Sequence, residues 1–281
     1  MPPRSRYYNE EGPPLFAHLD DIVTILGGTK LSFWPLLAAL GDTNTSNNLP
    51  PYGAGVTAQV ASLANAAGNV AFSVFGALLH PGGILSVNTS IQTNGHIKAA
   101  ADHANHSFGD ATVDTPFSAG VWIQPLEALG TARSLMAKYR STAVAAREYD
   151  FRFDTSGNLV LELFDESATA SEIGTGASDV IVPFAWNFCV ATYDGDETAP
   201  VVHLYRNGVD QLASGATTET GAYVAMEDTA TPLLMAARDL TASPAQIFQG
   251  RIALPFITGK ALTAAEVASL YSIGQQLIGL S

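Results

Sequence analysis

The residues best placed to do chemistry in this chain are acidic. Glu162-Leu-Phe-Asp165-Glu166 closes a run of alternating apolar residues that reads as a strand. Side chains alternate between the two faces of a strand, so Glu162 and Glu166 share a face with Phe164 between them, while Asp165 points away. Two carboxylates flanking a sugar bond are the tools of glycoside hydrolysis, provided aromatic platforms lie nearby. The plainer reading is a strand end running into a polar loop. A second group gathers Asp102, His103, His106, Asp110 and Asp114 in one short stretch. These are ligand types for a metal, with Asp102 and Asp110 as the candidate ligands. Ca²⁺ prefers several oxygens, so the alternative is a polar loop held by hydrogen bonds. Asp194-Gly-Asp-Glu197 is an acidic tip, too short for a calcium loop and ordinary as a solvated turn. The chain has no nucleophile elbow, phosphate loop, dinucleotide fingerprint, Cys/His zinc pattern or nucleophile–base pair. Tyr7, Tyr8, Tyr52 and Tyr223 fall in predicted arms or loops, where a ring can stack on a sugar or anchor a partner.

The elements that must position these residues are mainly strands. Phe117–Ile123, Ser134–Tyr139, Tyr149–Asp154, Leu159–Phe164, Trp186–Tyr193, Val201–Arg206 and Leu233–Ala237 are β-like runs separated by turn signals. Such spacing indicates a sandwich or barrel. Asp154–Asn158, with Gly157, joins two of the runs as a hairpin, and Asn207-Gly208 joins two more. Thr263-Ala-Ala-Glu266 is a capping box that opens a short helix with Val267, Leu270 and Tyr271 on its buried stripe. Leu31–Leu37 reads as an opening strand with Pro35 near its end. Residues 41–52 read as an exposed loop, and Val70–Leu79 and Ile84–Val87 as strands within an Ala- and Gly-rich stretch. Residues 1–14 form a Pro-rich arm. Leu15, Leu19, Ile22, Val23 and Leu26 then make one helical stripe, stopped by Gly27-Gly28. That stripe must be buried on this chain's own sandwich or on a neighbouring subunit, so Leu15, Leu19, Ile22 and Leu26 are the candidate partner-binding residues.

The 281 residues are 47% hydrophobic and 14% charged, enough apolar material for a large core. This length fits an all-β domain at 29–281 preceded by an arm and helix at 1–28. Asp and Glu total 26 against 13 Lys and Arg, a net charge of −13. That field repels nucleic acid and anionic membranes; its plainest role is to keep an apolar-rich chain in solution. The single cysteine, Cys189, forms no intrachain disulfide and reads as a packing residue. No apolar signal core follows the basic N-terminus, and no apolar run is long enough to span a bilayer.

The stretch His96–Tyr271 resembles the laminin-G-like branch of the concanavalin A-like lectin/glucanase superfamily. The landmarks are His96-Ile97-Lys98, Ala101-Asp102-His103, Phe108-Gly109-Asp110, Pro116-Phe117-Ser118 with Val121-Trp122-Ile123, Leu135–Tyr139 and Tyr149-Asp150-Phe151. Trp186, Ala191–Gly195, Leu204–Gly208, Phe248–Ile252 and Leu262–Val267 complete the series, and Trp34-Pro35-Leu36 looks like the first strand. The resemblance implies an antiparallel two-sheet jelly roll whose Trp and Tyr landmarks fill the core. In such domains calcium ligands come from loop carboxylates and backbone carbonyls, and Asp102 resembles one such position. Catalytic members set acidic residues two apart on a strand. The Ala-rich stretch before His96 departs from the pattern and suggests an insertion or a remodelled face. Domains with this spacing and wording resemble those of tailed-bacteriophage structural proteins.

The expectation is therefore a non-enzymatic virion component, a capsid decoration or a tail or fibre part. It is made in the host cytoplasm without a signal peptide, needs no cofactor beyond an optional calcium ion, and associates with itself or other virion proteins. Surface glycans are further possible partners. The runner-up is a carbohydrate-binding module unconnected with a virion, and a glycan-cleaving enzyme comes third.

Overall fold

The computed structural model of the chain describes residues 15–28, 30–34, 61–65, 68–69, 77–79, 85–89, 96–99, 101–141, 146–177, 180–239 and 244–280. Helix α1 (Leu15–Leu26) precedes β1 (Leu31–Phe33), β2 (Ala61–Asn65), β3 (Gly68–Asn69), β4 (Ala77–Leu79), β5 (Leu85–Asn88) and β6 (His96–Ala99). The longer strands follow: β7 (Phe117–Pro125), β8 (Arg133–Lys138), β9 (Tyr149–Phe153), β10 (Leu159–Asp165), β11 (Ala170–Thr175), β12 (Asn187–Tyr193) and β13 (Val202–Arg206). Short β14 (Val209–Asp210), β15 (Thr218–Thr220) and β16 (Leu234–Met235) lead to β17 (Gly250–Thr258) and α2 (Ala264–Ile278).

The strands pair antiparallel into two sheets. Among the described residues one sheet has eight strands in the order β14-β13-β12-β7-β17-β5-β4, with β1 also paired to β17. The other has nine, in the order β15-β11-β10-β9-β8-β16-β6-β2-β3. Both sheets finish in stubs: β14 and β3 have two residues each, β4 and β15 three.

Alternation along the strands decides which side chains meet. Leu159, Leu161 and Leu163 of β10 and Tyr149, Phe151 and Phe153 of β9 face Phe117, Val121 and Ile123 of β7 across the gap between sheets. The opposite face of the eight-stranded sheet carries Trp122, Phe188, Val190, Ala253 and Phe256. Both helices cover that face, α1 with Leu19, Ile22 and Leu26, and α2 with Val267, Leu270, Leu277 and Ile278. The described residues thus form three layers: helices, sheet, sheet. Trp122 stacks on Phe188 at 5.1 Å and on Tyr271 at 5.5 Å. Gly274 lets α2 come this close, since a Cβ there would lie 2.4 Å from the indole Nε1.

The predicted hairpins form. Asp154 accepts from the backbone N–H of Ser156 and Asn158, and Gly157 has φ 83°. Asn207 and Gly208 both take positive φ, 52° and 79°, as the tight turn requires. The Thr263–Glu266 capping box closes on α2. Cys189 is buried in the core, and burial pushes its thiol pKa up.

The stripe Leu19, Ile22 and Leu26 lies on this chain's own sandwich, so these three side chains present no free face to a partner. The reason is supply: the outer face of the eight-stranded sheet is apolar and needs covering. Thr258 Oγ1 fixes the helix by donating to the Leu26 and Gly27 carbonyls at 3.0 and 2.9 Å. The side chain of Leu15 lies outside the described residues, as do the 1–14 arm, the 41–52 loop and most of the stretch predicted as Val70–Leu79.

Candidate functional site

Among the described residues both helices lie on one sheet, which leaves the outer surface of the nine-stranded sheet as the face without a helix, the open face. Residues alternating with the core positions of β9 and β10 point there: Asp150 and Arg152, then Val160, Glu162 and Phe164. Register sets Glu162 opposite Asp150. Arg152 bridges the two acids, with Nη1 2.6 Å from Glu162 Oε2 and 3.2 Å from Asp150 Oδ2. Asp150, fully buried, also accepts from Ser134 Oγ at 2.6 Å and from Arg238 Nη1 at 3.0 Å.

Beside this network sits an aromatic pair. Tyr139 and Phe164 meet edge to face, centroids 5.4 Å apart. The guanidinium of Arg238 covers Tyr139 at 4.5 Å, and that of Arg147 covers Phe164 at 4.8 Å. Arg147 is in turn ion-paired to Glu166, and that hydrogen bond raises its pKa further. The guanidinium groups therefore lie partly buried over the rings, with carboxylates locked against them. Such a face offers fixed, planar donors to hydroxyl and carboxyl oxygens.

The predicted acid cluster is dispersed by this arrangement. Glu162 is held by Arg152 and Glu166 by Arg147. Asp165 turns to the next loop, where it accepts from the Ala168 and Val224 N–H groups and from Ser167 Oγ. Burial opposes its ionisation, but these hydrogen bonds prevail and lower its pKa.

The predicted metal residues serve other ends. Asp110 is exposed and caps its own turn, accepting from Thr112 and Val113; the Thr112 hydroxyl bond lowers its pKa most. Asp102 is ion-paired to Lys138 at 2.6 Å. His103 Nδ1 accepts from the Asn105 N–H, capping a 3₁₀ turn. His106 is buried 3.1 Å from Ser32 Oγ, and burial, then Lys138 and His103, lower its pKa to about 3. Among the described residues no three His, Cys, Asp or Glu side chains gather as a metal site would need.

Asp114 is an internal hub. Its Oδ2 accepts from Tyr193 Oη at 2.9 Å and Tyr223 Oη at 2.6 Å, and its Oδ1 from Met226 N at 2.9 Å. Tyr223, expected as a loop platform, is thus a buried strut; Tyr7, Tyr8 and Tyr52 lie outside the described residues. The acidic tip holds its own turn through Asp194 and Asp196, while Glu197 reaches across to accept from the Asp114 N–H. No helix among the described residues is long and apolar enough to cross a membrane.

Two antiparallel sheets, one roofed by helices and one bearing a polar outer surface, define a lectin-type jelly roll. The model of the concanavalin A-like lectin/glucanases superfamily matches residues 93–268, and the chain belongs to that superfamily. No curated protein matches it. Among solved structures it is similar to domain 4 of AbnA, an extracellular arabinanase of Geobacillus stearothermophilus solved with arabinotriose. That likeness has TM-score 0.54 and 13% identity, and covers 86% of this chain and 98% of that one. The binding domain of Paraclostridial Mosquitocidal Protein 1 gives TM-score 0.54, 14% identity and coverage of 86% and 51%. The botulinum neurotoxin serotype G binding domain gives 0.54, 14%, 89% and 51%. The chain thus spans about half the length of these toxin domains. At such identities the likeness is one of fold.

Proposed function

We propose that this chain is a non-enzymatic, glycan-contacting jelly roll that serves as a structural part of a virion, as a capsid decoration or a tail or fibre component. One observation carries the choice of binding over cleavage. The acidic residues of the open face, Glu162 and Glu166, are each neutralised by an arginine rather than left as an acid–base pair across a cleft. The part-exposed guanidinium groups they hold in place suit recognition of saccharide hydroxyls and carboxylates. The arabinanase domain of similar fold, solved with arabinotriose, is consistent with a scaffold that meets glycans. The virion setting rests on the resemblance of the sequence landmarks to tailed-phage structural proteins. In that setting the partners are virion proteins or further copies of the chain, assembled in the host cytoplasm.

A glycan array spanning neutral and acidic saccharides, run with and without calcium, tests the binding half. The expected result is retention of a saccharide class that Arg152→Ala abolishes while the fold is kept. Hydrolysis of any array member, or no retention at all, refutes it. Mass spectrometry of purified particles from an infected host tests the virion half, with the chain expected at stoichiometric copy number.

A further inference from the structure

A lysine lies buried among carboxylates at one end of the sandwich. Lys138 closes β8 with its side chain fully buried. Its Nζ is 2.6 Å from Asp102 Oδ1, 2.7 Å from Ser107 Oγ, 2.8 Å from Glu148 Oε1 and 3.2 Å from the Thr229 carbonyl oxygen. An ammonium has three hydrogens, so four acceptors crowd three donors. Glu148 is itself fully buried. Its Oε1 further accepts from Thr229 N at 2.7 Å and Thr229 Oγ1 at 2.9 Å, yet its Oε2 has no hydrogen-bond partner among the described residues. Asp102 differs from both, since its side chain is 30% exposed.

We propose that Lys138 and Asp102 condense in the folded chain to form an isopeptide bond between Nζ and Cγ, with Glu148 as the catalytic acid–base group. The Nζ–Oδ1 contact leaves the carboxyl carbon one C–O bond beyond the nitrogen. Glu148, touching Nζ, takes a proton from it, and the freed lone pair attacks Asp102 Cγ. The N–C bond forms, one C–O bond of the carboxyl group breaks, and that oxygen leaves as water. Two hydrogens of the ammonium end on the water and one stays on the amide nitrogen; Glu148 relays protons and finishes unchanged. No oxidant or co-reactant is needed.

Three features favour the step. The reacting groups are held together by the fold, which replaces a bimolecular encounter with an intramolecular one. Condensation removes two charges from a site where burying charge is costly. Burial, partly offset by Lys138, raises the Glu148 pKa to about 7, so this carboxyl can accept and return protons near neutrality. The exposed side of Asp102 gives the water a way out. The bond would tie the segment after β6 to the end of β8, across the intervening β16.

Intact mass spectrometry of the purified full-length chain decides the matter. The expected mass is one water below that of the sequence, and protease digestion is expected to yield one branched peptide joining Lys138 to Asp102. Lys138→Arg and Glu148→Gln are expected to restore the full sequence mass. The proposal is overturned if the folded wild-type chain has its full sequence mass, or if a lost water maps elsewhere, such as to a succinimide at Asp110. The wild-type measurement suffices even where a variant does not fold.

Discussion

Replacing Asp114 by Asn probes whether burial dominates the energetics of the loop hub. Asp114 is 3% exposed and receives three hydrogen bonds. Burial raises its pKa from 3.8 to about 6 even though the bonds from Tyr223, Met226 and Tyr193 pull the other way. Below 3.8 the group is protonated in both folded and unfolded chains. Above 6 it is charged in both, and the folded chain bears the whole cost of that buried charge. The contribution of Asp114 to stability therefore rises as pH falls from 6 to 4. The change from 3.8 to about 6, at about 1.4 kcal/mol per factor of ten in the proton equilibrium, corresponds to about 3 kcal/mol. Asparagine does not titrate, and its amide can still accept from Met226 and donate to a tyrosine oxygen. Any hydrogen-bond energy lost in the variant is the same at both pH values. Urea unfolding of both proteins at pH 4 and pH 7 isolates most of the term: the variant is expected to gain about 2 kcal/mol on the wild type between pH 4 and pH 7, the unfolded carboxyl being already partly charged at pH 4. A stability difference that stays constant with pH, or moves in the opposite direction, refutes the argument.

Leu19→Ala, at a side chain with no exposure, is expected to cost about 2–5 kcal/mol in chemical denaturation, with a Tm that does not vary with protein concentration. A concentration-dependent Tm would instead place α1 on a second copy. Gly274→Val would drive a side chain into the Trp122 indole; about 1–3 kcal/mol of stability is expected to go, with a change in tryptophan fluorescence as α2 lifts. Asp150→Ala strips Arg238 of its carboxylate partner on the open face and is expected to cost about 3 kcal/mol by urea unfolding. Thr263→Ala removes the cap of α2, with an expected loss of about 1 kcal/mol and earlier fraying of α2 by hydrogen exchange.

The strands that read clearly in the sequence are those with strong local alternation, β7 through β10 with β12 and β13. Their hairpins carry turn residues at the required positions. Strand β17, which pairs with β1, β5 and β7, was hidden by Pro255. A proline argues against an interior strand, but here the register breaks between Ala253 and Phe256, where Leu254 takes φ 49°. Strand β11, Ala170–Thr175, has a single β-branched apolar residue and no visible period. The open-face network was half legible: Asp150 and Arg152 alternate with aromatics, but their meeting with Glu162 depends on register and with Arg238 on a segment 88 residues away. The Lys138–Asp102–Glu148 group had no local signature, because it joins three segments and Asp102 and Lys138 are 36 residues apart. The one hint was a charged residue closing the apolar run Leu135-Met136-Ala137. The hub at Asp114 likewise draws Tyr193 and Tyr223 from 79 and 109 residues away.

The two- and three-residue stubs that finish each sheet bear on crowding. Fusion of one sheet onto another molecule's requires a row of unsatisfied backbone groups long enough to template a foreign strand. Among the described residues, stubs of this length offer one or two such groups each. The described sheet edges therefore give little backbone for one molecule to zip onto another at high local density. An encounter at these edges relies on side chains, whose mutual fit can be tuned or reversed by single substitutions.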